Sequence, residues 1–145
     1  MQYERVLWRG QLDGEFSGFD EDAVFKLADG TFWLQAEYYY WYFYAYRAAV
    51  EIFSDGGMPR LRVAGQSISV PVRQLHGVIE SRIAGEFHGW EGDSEYELTN
   101  GQVWRQARYK YSYKYKYRPE VTIYDASGGK VMDVDGCRAV VRRIR

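Results

Sequence analysis

The chain has 145 residues, of which 46% are hydrophobic and 18% aromatic, so it can build a core and is not an intrinsically disordered protein. Its 19 basic and 20 acidic side chains leave a net charge of -1, which excludes a globally basic nucleic-acid-binding protein. The single cysteine excludes a disulfide framework and a multi-cysteine metal site. Because there is neither a membrane-span-length apolar run nor the apolar core of a signal peptide, we expect a soluble, cytoplasmic protein.

The chain contains an internal duplication. Residues 14–74 align without a gap with residues 85–145, a shift of 71 positions, and 22 of the 61 aligned pairs are identical. The identical pairs include Gly14/Gly85, Trp33/Trp104, Gln35/Gln106 and Arg47/Arg118. Such a match is far above chance, so we predict two repeats, residues 1–75 and 76–145. Their junction is too short to be a free linker, and we expect the two copies to pack together.

Each copy is predicted to form consecutive short strands, because its apolar residues lack a helical period and turn signals recur at short intervals. Asp29-Gly30 and Asn100-Gly101 separate apolar runs in the manner of type I′ hairpin turns, which need a left-handed backbone. Further turns are predicted at Asp55-Gly56-Gly57, Ala64-Gly65, Ser127-Gly128-Gly129 and Asp135-Gly136. The strands predicted in the first copy are residues 14–19, 24–28, 31 onward, 49–53, 60–63 and 68–73, each with an equivalent in the second copy.

This density of short antiparallel strands is typical of small closed β-structures. We therefore predict an all-β protein made of two tandem SH3-like (or OB-like) barrel units that arose by duplication. Closure would also remove exposed sheet edges, which matters for strands this aromatic. A two-layer arrangement, or one sheet shared by both copies, are the alternatives.

A row of alternating tyrosines is the distinctive feature of each copy, and strand periodicity places the row on one face. The row comprises Tyr38, Tyr40, Tyr42, Tyr44 and Tyr46 in the first copy, and Tyr109, Tyr111, Tyr113, Tyr115 and Tyr117 in the second. A β-bulge at Ala36-Glu37, and another at Ala107-Arg108, would bring the preceding tryptophan and glutamine to the same face. Two interpretations stay open: cross-strand packing, which we favour for most of these tyrosines, and an aromatic platform that a ligand can reach.

The opposite face of the tyrosine strand differs between the copies. In the first copy it carries Tyr39, Trp41 and Phe43, which would form an exposed hydrophobic patch if nothing covered them. We expect this candidate partner face to be covered by the second copy, by the N-terminal segment or by another chain, and homodimerisation through it is one hypothesis. The second copy instead carries lysines, which we expect to be solvated.

Basic residues interleaved with aromatic ones are typical of proteins that bind single-stranded nucleic acids. The second copy offers a candidate nucleic-acid or anion face comprising Arg105, Arg108, Lys110, Lys114, Lys116 and Arg118. Against this interpretation, lysines and tyrosines that alternate face opposite sides of a strand, and a lysine row also keeps an exposed strand soluble. Nucleic-acid binding is therefore the alternative hypothesis.

Catalytic chemistry has little support in the sequence. His76, His88 and Cys137 show no metal-ligand spacing, and Cys137 has no histidine nearby in sequence to activate it. The glycine-rich fingerprints of phosphate and dinucleotide binding are missing. We predict no enzyme, no catalytic residue, no cofactor and no metal site. The leading hypothesis is a binding or assembly module that contacts a protein partner or a second copy through its tyrosine-rich strands.

Four motifs follow one another in both copies: G-E-F-x-G-[FW], [DN]-G, W-x-Q-A and Y-x-Y-x-Y-x-Y-R. Together they resemble a short tyrosine-rich repeat of uncharacterised bacterial proteins, and the resemblance covers nearly all of both copies. It implies a bacterial source, and it supplies no catalytic residues to carry over.

Overall fold

The computed structural model describes residues 4–126 and 128–145, and within them the chain forms sixteen strands and no helix. The all-β prediction is therefore confirmed, while the turn predicted at Ser127 lies outside the described residues. The chain divides into two compact units, one ending at His76 and the other spanning Gly77–Arg145. Among the described residues there is no helix with the length and hydropathy that a membrane crossing requires.

Each unit contains eight strands in the same order. The first unit has β1 (Arg5–Gln11), β2 (Glu15–Phe19), β3 (Val24–Lys26), β4 (Phe32–Gln35), β5 (Trp41–Tyr46), β6 (Ala49–Ser54), β7 (Arg60–Val63) and β8 (Ser69–Leu75). The second has β9 (Ile79–Arg82), β10 (Glu86–Glu91), β11 (Glu95–Glu97), β12 (Val103–Gln106), β13 (Tyr111–Tyr117), β14 (Glu120–Ala126), β15 (Gly129–Val134) and β16 (Cys137–Arg143). β2 to β8 and β10 to β16 overlap the strands predicted for the two copies. β9 overlaps the sequence Gly77-Val78-Ile79-Glu80, which itself is typical of a strand, whereas β1, for which the sequence predicted no strand, is an addition.

Six strands of each unit form a curled antiparallel sheet. The strand order is β1-β6-β7-β8-β4-β3 in the first unit and β9-β14-β15-β16-β12-β11 in the second. The two outer strands of each sheet meet at a single β-bridge, Leu12 with Leu27 and Ile83 with Leu98. Two flanking backbone hydrogen bonds of 2.8 Å reinforce each bridge. The sheet therefore curls into a half-barrel, with one hydrophobic core per unit.

The remaining two strands of each unit form a separate antiparallel ribbon, β2 with β5 and β10 with β13. We call these the first and the second tyrosine ribbon. Both have the same register, with Glu15 opposite Tyr46 and Glu86 opposite Tyr117, and both carry a β-bulge at the same place. The duplication therefore extends to the backbone pairing of the ribbons.

A glycine at each bulge is required by the geometry of the ribbon. Gly18 and Gly89 have φ angles of 98° and 93°, in the left-handed region that other residues avoid. A Cβ atom at either position would lie 1.9 Å from a carbonyl oxygen of the opposite strand, that of Trp41 or Ser112. The second glycine of the G-E-F-x-G motif is therefore a structural residue that lets the two strands approach.

The predicted bulges at Ala36-Glu37 and Ala107-Arg108 are wrong. The chain does not run on from the tryptophan segment into the tyrosine segment as one strand: β4 ends at Gln35 in the six-stranded sheet, and β5 begins at Trp41 in the ribbon. The reason is a buried polar side chain, since Gln35 is only 2% exposed and must satisfy its amide locally.

The amide of Gln35 holds the chain reversal between the two sheets. Its Nε2 donates hydrogen bonds to the backbone carbonyls of Asp20 and Glu37, at 2.6 and 2.9 Å. In the second unit, Nε2 of Gln106 donates to the carbonyls of Arg108 and Lys110, at 3.0 and 2.8 Å. The glutamine that both copies share thus holds the loop that connects the six-stranded sheet to the tyrosine strand of the ribbon.

The hairpins at Asp29-Gly30 and Asn100-Gly101 are confirmed, but their turn type is not the predicted one. Only the glycine of each pair has a positive φ, 88° in both cases, whereas a type I′ turn needs two such residues. Gly30 N donates to the carbonyl of Leu27 at 2.9 Å, as in a type I turn followed by a left-handed glycine. Asp135-Gly136 does have two positive φ values, 52° and 86°.

Candidate binding surface: the tyrosine ribbons

The outward face of each ribbon is covered with tyrosine. Along β5 half-buried residues alternate with exposed ones, so Tyr42, Tyr44 and Tyr46 point to solvent. On β13 the exposed tyrosines are Tyr111, Tyr113, Tyr115 and Tyr117, while Tyr38, Tyr40 and Tyr109 precede the strands. All ten are between 48% and 79% exposed. The ten rings therefore lie on the solvent side of the ribbons and not in the core of their unit, because a two-stranded ribbon gives one face to the core and the other to water.

The inward face of the first ribbon packs on the core of its own unit. The Trp41 ring lies 5.4 Å from that of Phe19 and stacks on Phe43 at 5.0 Å, and the Phe43 ring is 6.5 Å from Phe16. Phenylalanines of the same unit thus lie against the apolar row, an arrangement that the sequence did not indicate. Of the candidate partner face, only Tyr39 is largely exposed, at 46%.

The inward face of the second ribbon carries lysines. Lys110 and Lys116 are exposed and Lys114 is half-buried, so they keep contact with solvent as expected, but all three also contact the half-barrel. Nζ of Lys114 donates to the backbone carbonyl of Asp135 at 2.7 Å and lies 3.2 Å from its carboxylate, and Lys116 Nζ lies 3.0 Å from the same carboxylate. Lys110 Nζ donates to the carbonyl of Arg138 at 2.6 Å. The hydrogen bond from Lys116, more than any other contact, lowers the pKa of Asp135 below its ordinary value.

The turn between β15 and β16 explains why the second ribbon carries lysines where the first carries apolar residues. It carries Asp135 toward the ribbon, and the 71-residue shift places Ala64 at the equivalent position of the first unit. The same shift places Phe43 and Ala45 where the second unit has Lys114 and Lys116. Both ribbons therefore pack aromatic side chains of their first strand on the core of their unit, Phe16 and Phe19 in one and Phe87 and Trp90 in the other. On the tyrosine strand, the first ribbon adds apolar contacts and the second adds ion pairs.

The structure does not bring the six basic residues of the candidate nucleic-acid face together. Arg105 lies on β12 in the six-stranded sheet, opposite Glu95 of β11. Arg108 is exposed in the loop before β13, and Arg118 follows β13 with a φ of 50°. Since the three lysines face inward, the exposed tyrosines are not interleaved with them on one surface.

A carboxylate accompanies the outward tyrosines in both ribbons. Tyr44 OH donates a hydrogen bond of 3.1 Å to Oε1 of Glu15, and Tyr115 OH donates one of the same length to Oε1 of Glu86. In each case this hydrogen bond raises the pKa of the tyrosine above its ordinary value. We call these the first and the second Glu–Tyr pair. Sequence reasoning missed them, although their signal is present: both partners are identical in the two copies.

The two pairs differ in their neighbour on β2 or β10. In the second ribbon, the ring of His88 lies 5.4 Å from the ring of Tyr115, and its Nε2 lies 3.3 Å from Oε2 of Glu86. In the first ribbon this position is Ser17, which is exposed. An imidazole therefore contacts both members of the second pair, whereas the first pair has no such neighbour at this position.

Each tyrosine strand also has an edge that no described strand occupies. β5 pairs only with β2, and β13 pairs only with β10. The NH and carbonyl groups on the other edge of each strand therefore have no ladder partner among the described strands, which is the usual requirement for adding a strand from another chain.

Comparisons of the chain with protein-family models, with curated proteins and with solved structures gave no match. Within residues 4–126 and 128–145, no group of three or more histidine, cysteine, aspartate and glutamate side chains is arranged to hold a metal ion.

Proposed function

We propose that this protein is a non-catalytic binding module that contacts a protein partner through the outward faces of its two tyrosine ribbons. One observation carries the proposal: the five ladder tyrosines of the first copy are all retained in the second, and all ten are exposed. The two copies have diverged freely on the inward face of the same strand, from apolar residues to lysines. Folding alone therefore does not account for the retained tyrosines.

Tyrosine suits a recognition surface for physical reasons. It offers a large flat ring and a hydroxyl group at a small cost in side-chain entropy, and it is enriched where proteins bind one another. Ten exposed rings, seven of them on strands that nothing else requires to be aromatic, would otherwise be an aggregation hazard. The unoccupied edges of β5 and β13 favour an extended segment as the partner, because an added strand would gain backbone hydrogen bonds.

The finer fold class belongs to the same proposal. The half-barrel whose outer strands meet at one bridge, together with a projecting ribbon, supports the SH3-like (or OB-like) class for each unit. Small barrels of these kinds serve many unrelated functions, so the fold supports a binding role without naming the ligand.

The experiment selects extended peptides from a displayed random library on the whole protein. A ribbon variant carries serine in place of Tyr42, Tyr44, Tyr46, Tyr111, Tyr113 and Tyr115. A control variant carries serine in place of Leu7 and Met58, exposed apolar side chains that lie outside the ribbons. Because these side chains are exposed, we expect both variants to fold, which thermal denaturation followed by circular dichroism checks.

We expect enriched peptides to bind the wild type and the control variant and to lose binding to the ribbon variant. Peptides that bind all three proteins alike would refute the proposal. Self-association is tested on the same set by light scattering over a concentration series. A dimer that disappears in the ribbon variant would identify a second copy as the partner.

A further inference from the structure

The outward face of the first ribbon carries one sign of charge. Its strands contribute three tyrosines from β5 and, from β2, Ser17 and Glu15. Tyrosine rings attract cations through their negative faces, and a carboxylate attracts them directly. The lysines that would have made the second ribbon attractive to anions face inward and contact Asp135 and Arg138 instead. The outward faces of both ribbons therefore carry carboxylates and no lysine, which favours a positively charged ligand there.

The Glu–Tyr pair is arranged to receive such a ligand. The hydrogen bond from Tyr44 to Oε1 of Glu15 holds the ring and the carboxylate side by side, so neither has to be ordered when a ligand arrives. This bond leaves Oε2 of Glu15 available to accept a second hydrogen bond. Outward tyrosines recur at every second residue, which is also the spacing of side chains along an extended peptide.

In the second unit, a side chain of the chain itself contacts such a pair. His88 places its ring against Tyr115 and its Nε2 beside Oε2 of Glu86, the two contacts that a basic side chain of a partner would make. The imidazole of His88 thus occupies the place beside the second Glu–Tyr pair. In the first unit Ser17 is too short to do so, and the equivalent place is open.

From these observations we infer that the first Glu–Tyr pair, Glu15 with Tyr44, binds a lysine or arginine side chain of an extended protein segment, and that His88 occupies the second pair in place of such a ligand. This inference rests on the proposed function and adds the chemistry of the partner. It assigns the two units different roles: the first ribbon is open to a cationic side chain, and the second is self-occupied.

The test exchanges the two positions that distinguish the ribbons. The probe is an N-acetylated, C-amidated octapeptide of alternating lysine and threonine, titrated at low ionic strength into the whole protein while tyrosine ring signals are followed by NMR. Peptides with glutamate or glutamine in place of lysine serve as charge controls. The variants are Ser17→His, which introduces the competing imidazole into the first ribbon, and His88→Ser, which removes it from the second.

We expect the lysine peptide to shift the Tyr44 ring signals in the wild type and to leave those of Tyr115 nearly unchanged. Ser17→His should weaken binding at the first ribbon roughly tenfold, and His88→Ser should create a second site that shifts Tyr115. Glu15→Gln should also weaken binding about tenfold, whereas Glu21→Gln, an exposed acid outside the strands, should have little effect.

Three results would overturn the inference: no shift with the lysine peptide, equal binding of the glutamate peptide, or insensitivity to Ser17→His and Glu15→Gln. The proposed function fails separately. If a neutral or acidic peptide binds and the binding depends on the tyrosines, the ribbons are binding surfaces but the cationic partner is wrong. If the lysine peptide binds the six-tyrosine variant as well as the wild type, the ribbons are not the site at all.

Discussion

Asp135 and Lys116 meet across the space between the second half-barrel and its ribbon, with the carboxylate 3.0 Å from the ammonium group. The equivalent residues of the first unit are Ala64 and Ala45, so the same junction lacks charge there. An ion pair of this kind depends on pH and salt, whereas apolar packing does so only weakly. The share of the second ribbon's attachment that these ion pairs supply should therefore respond to pH and salt, whereas the buried Phe87 and Trp90 keep the ribbon on its core.

Replacing Asp135 by asparagine should loosen the second ribbon. Asparagine tolerates the left-handed backbone of this position, so the change removes charge without adding strain. Asp135 is about half exposed, and we expect a loss of only about 0.5–1 kcal/mol in the free energy of unfolding. Amide exchange should accelerate in β13, as measured by hydrogen–deuterium exchange at neutral pH.

The pH dependence of this effect has a definite sign. The folded pKa of Asp135 lies below its ordinary 3.8, so its stabilising contribution is complete above that value and is lost as pH falls through the folded pKa. Wild type and Asp135→Asn should therefore converge in acid. Asp125→Asn removes an ion pair with Lys130 that joins β14 and β15 within the six-stranded sheet, and it should leave exchange in β13 unchanged. Equal acceleration in both variants would contradict the assignment.

Gly89→Ala should be far more destabilising than Gly101→Ala. Both glycines have similar positive φ values, 93° and 88°, so the backbone strain of alanine is comparable. Only at Gly89 would the added Cβ meet a backbone atom, the Ser112 carbonyl oxygen, whereas nothing lies within 4 Å at Gly101. We expect a loss of about 1 kcal/mol for Gly101→Ala and at least about 3 kcal/mol for Gly89→Ala, measured by urea denaturation. Similar losses would show that the bulge can widen.

The sequence predicted the strands well because the duplication doubles each local signal. A turn pair or an alternating run that recurs after 71 residues is unlikely to be accidental, and β2, β6 and β7 lie where the pattern places them. The break between β4 and β5 was missed because it depends on the buried amide of Gln35, which donates to the carbonyls of Asp20 and Glu37. The alternation of residue types shows which side chains share a face, but it does not show that a glutamine bonds to the backbone.

The partners of the tyrosine strand escaped prediction for the same reason. Whether Lys114 contacts the half-barrel depends on Asp135, which the turn between β15 and β16 brings close only in the folded unit. Likewise, Phe16 and Phe19 cover the apolar row because β2 pairs with β5 across a long connection. Periodicity shows which residues share a face, but it does not show what the face meets.

Replacing Lys110, Lys114 and Lys116 by glutamate should destabilise the second unit, and it is therefore a poor test of nucleic-acid binding. The change would set new carboxylates beside Asp135 in place of its two ammonium partners. We expect a loss of about 1–3 kcal/mol in the free energy of unfolding, measured by denaturation. Wild-type stability in the triple variant would show that these contacts contribute nothing.

Single-stranded oligonucleotides should give no mobility shift with the wild type at about 0.15 M salt, because the inward lysines are engaged within the chain. The decisive variant for the alternative hypothesis replaces Arg105, Arg108 and Arg118 by glutamine. A shift that weakens steeply with salt and disappears in this arginine variant would establish nucleic-acid binding instead.

Tyr96→Phe tests the support beneath the second ribbon. The Tyr96 hydroxyl donates a 2.6 Å hydrogen bond to the carbonyl of Gly89, the bulge glycine, while the first unit has Phe25 at this position. Losing the hydroxyl leaves a buried carbonyl without this donor, and we expect a cost of about 1–2 kcal/mol. Tyr113→Phe, at an exposed ladder position, should cost almost nothing.

Stability measurements at alkaline pH distinguish the hydrogen bond of the Tyr96 hydroxyl from the packing of its ring. Burial, above all, raises the pKa of Tyr96 above its ordinary 10.0, so the folded state holds the proton more tightly than the unfolded state. The stability that depends on the neutral hydroxyl is complete below pH 10 and is lost as pH rises through the folded pKa. Wild type should thus lose stability faster than Tyr96→Phe above pH 10, and the gap between their urea midpoints should narrow. A gap that stays constant from neutral pH to beyond this range would mean that the hydroxyl contributes no titratable interaction.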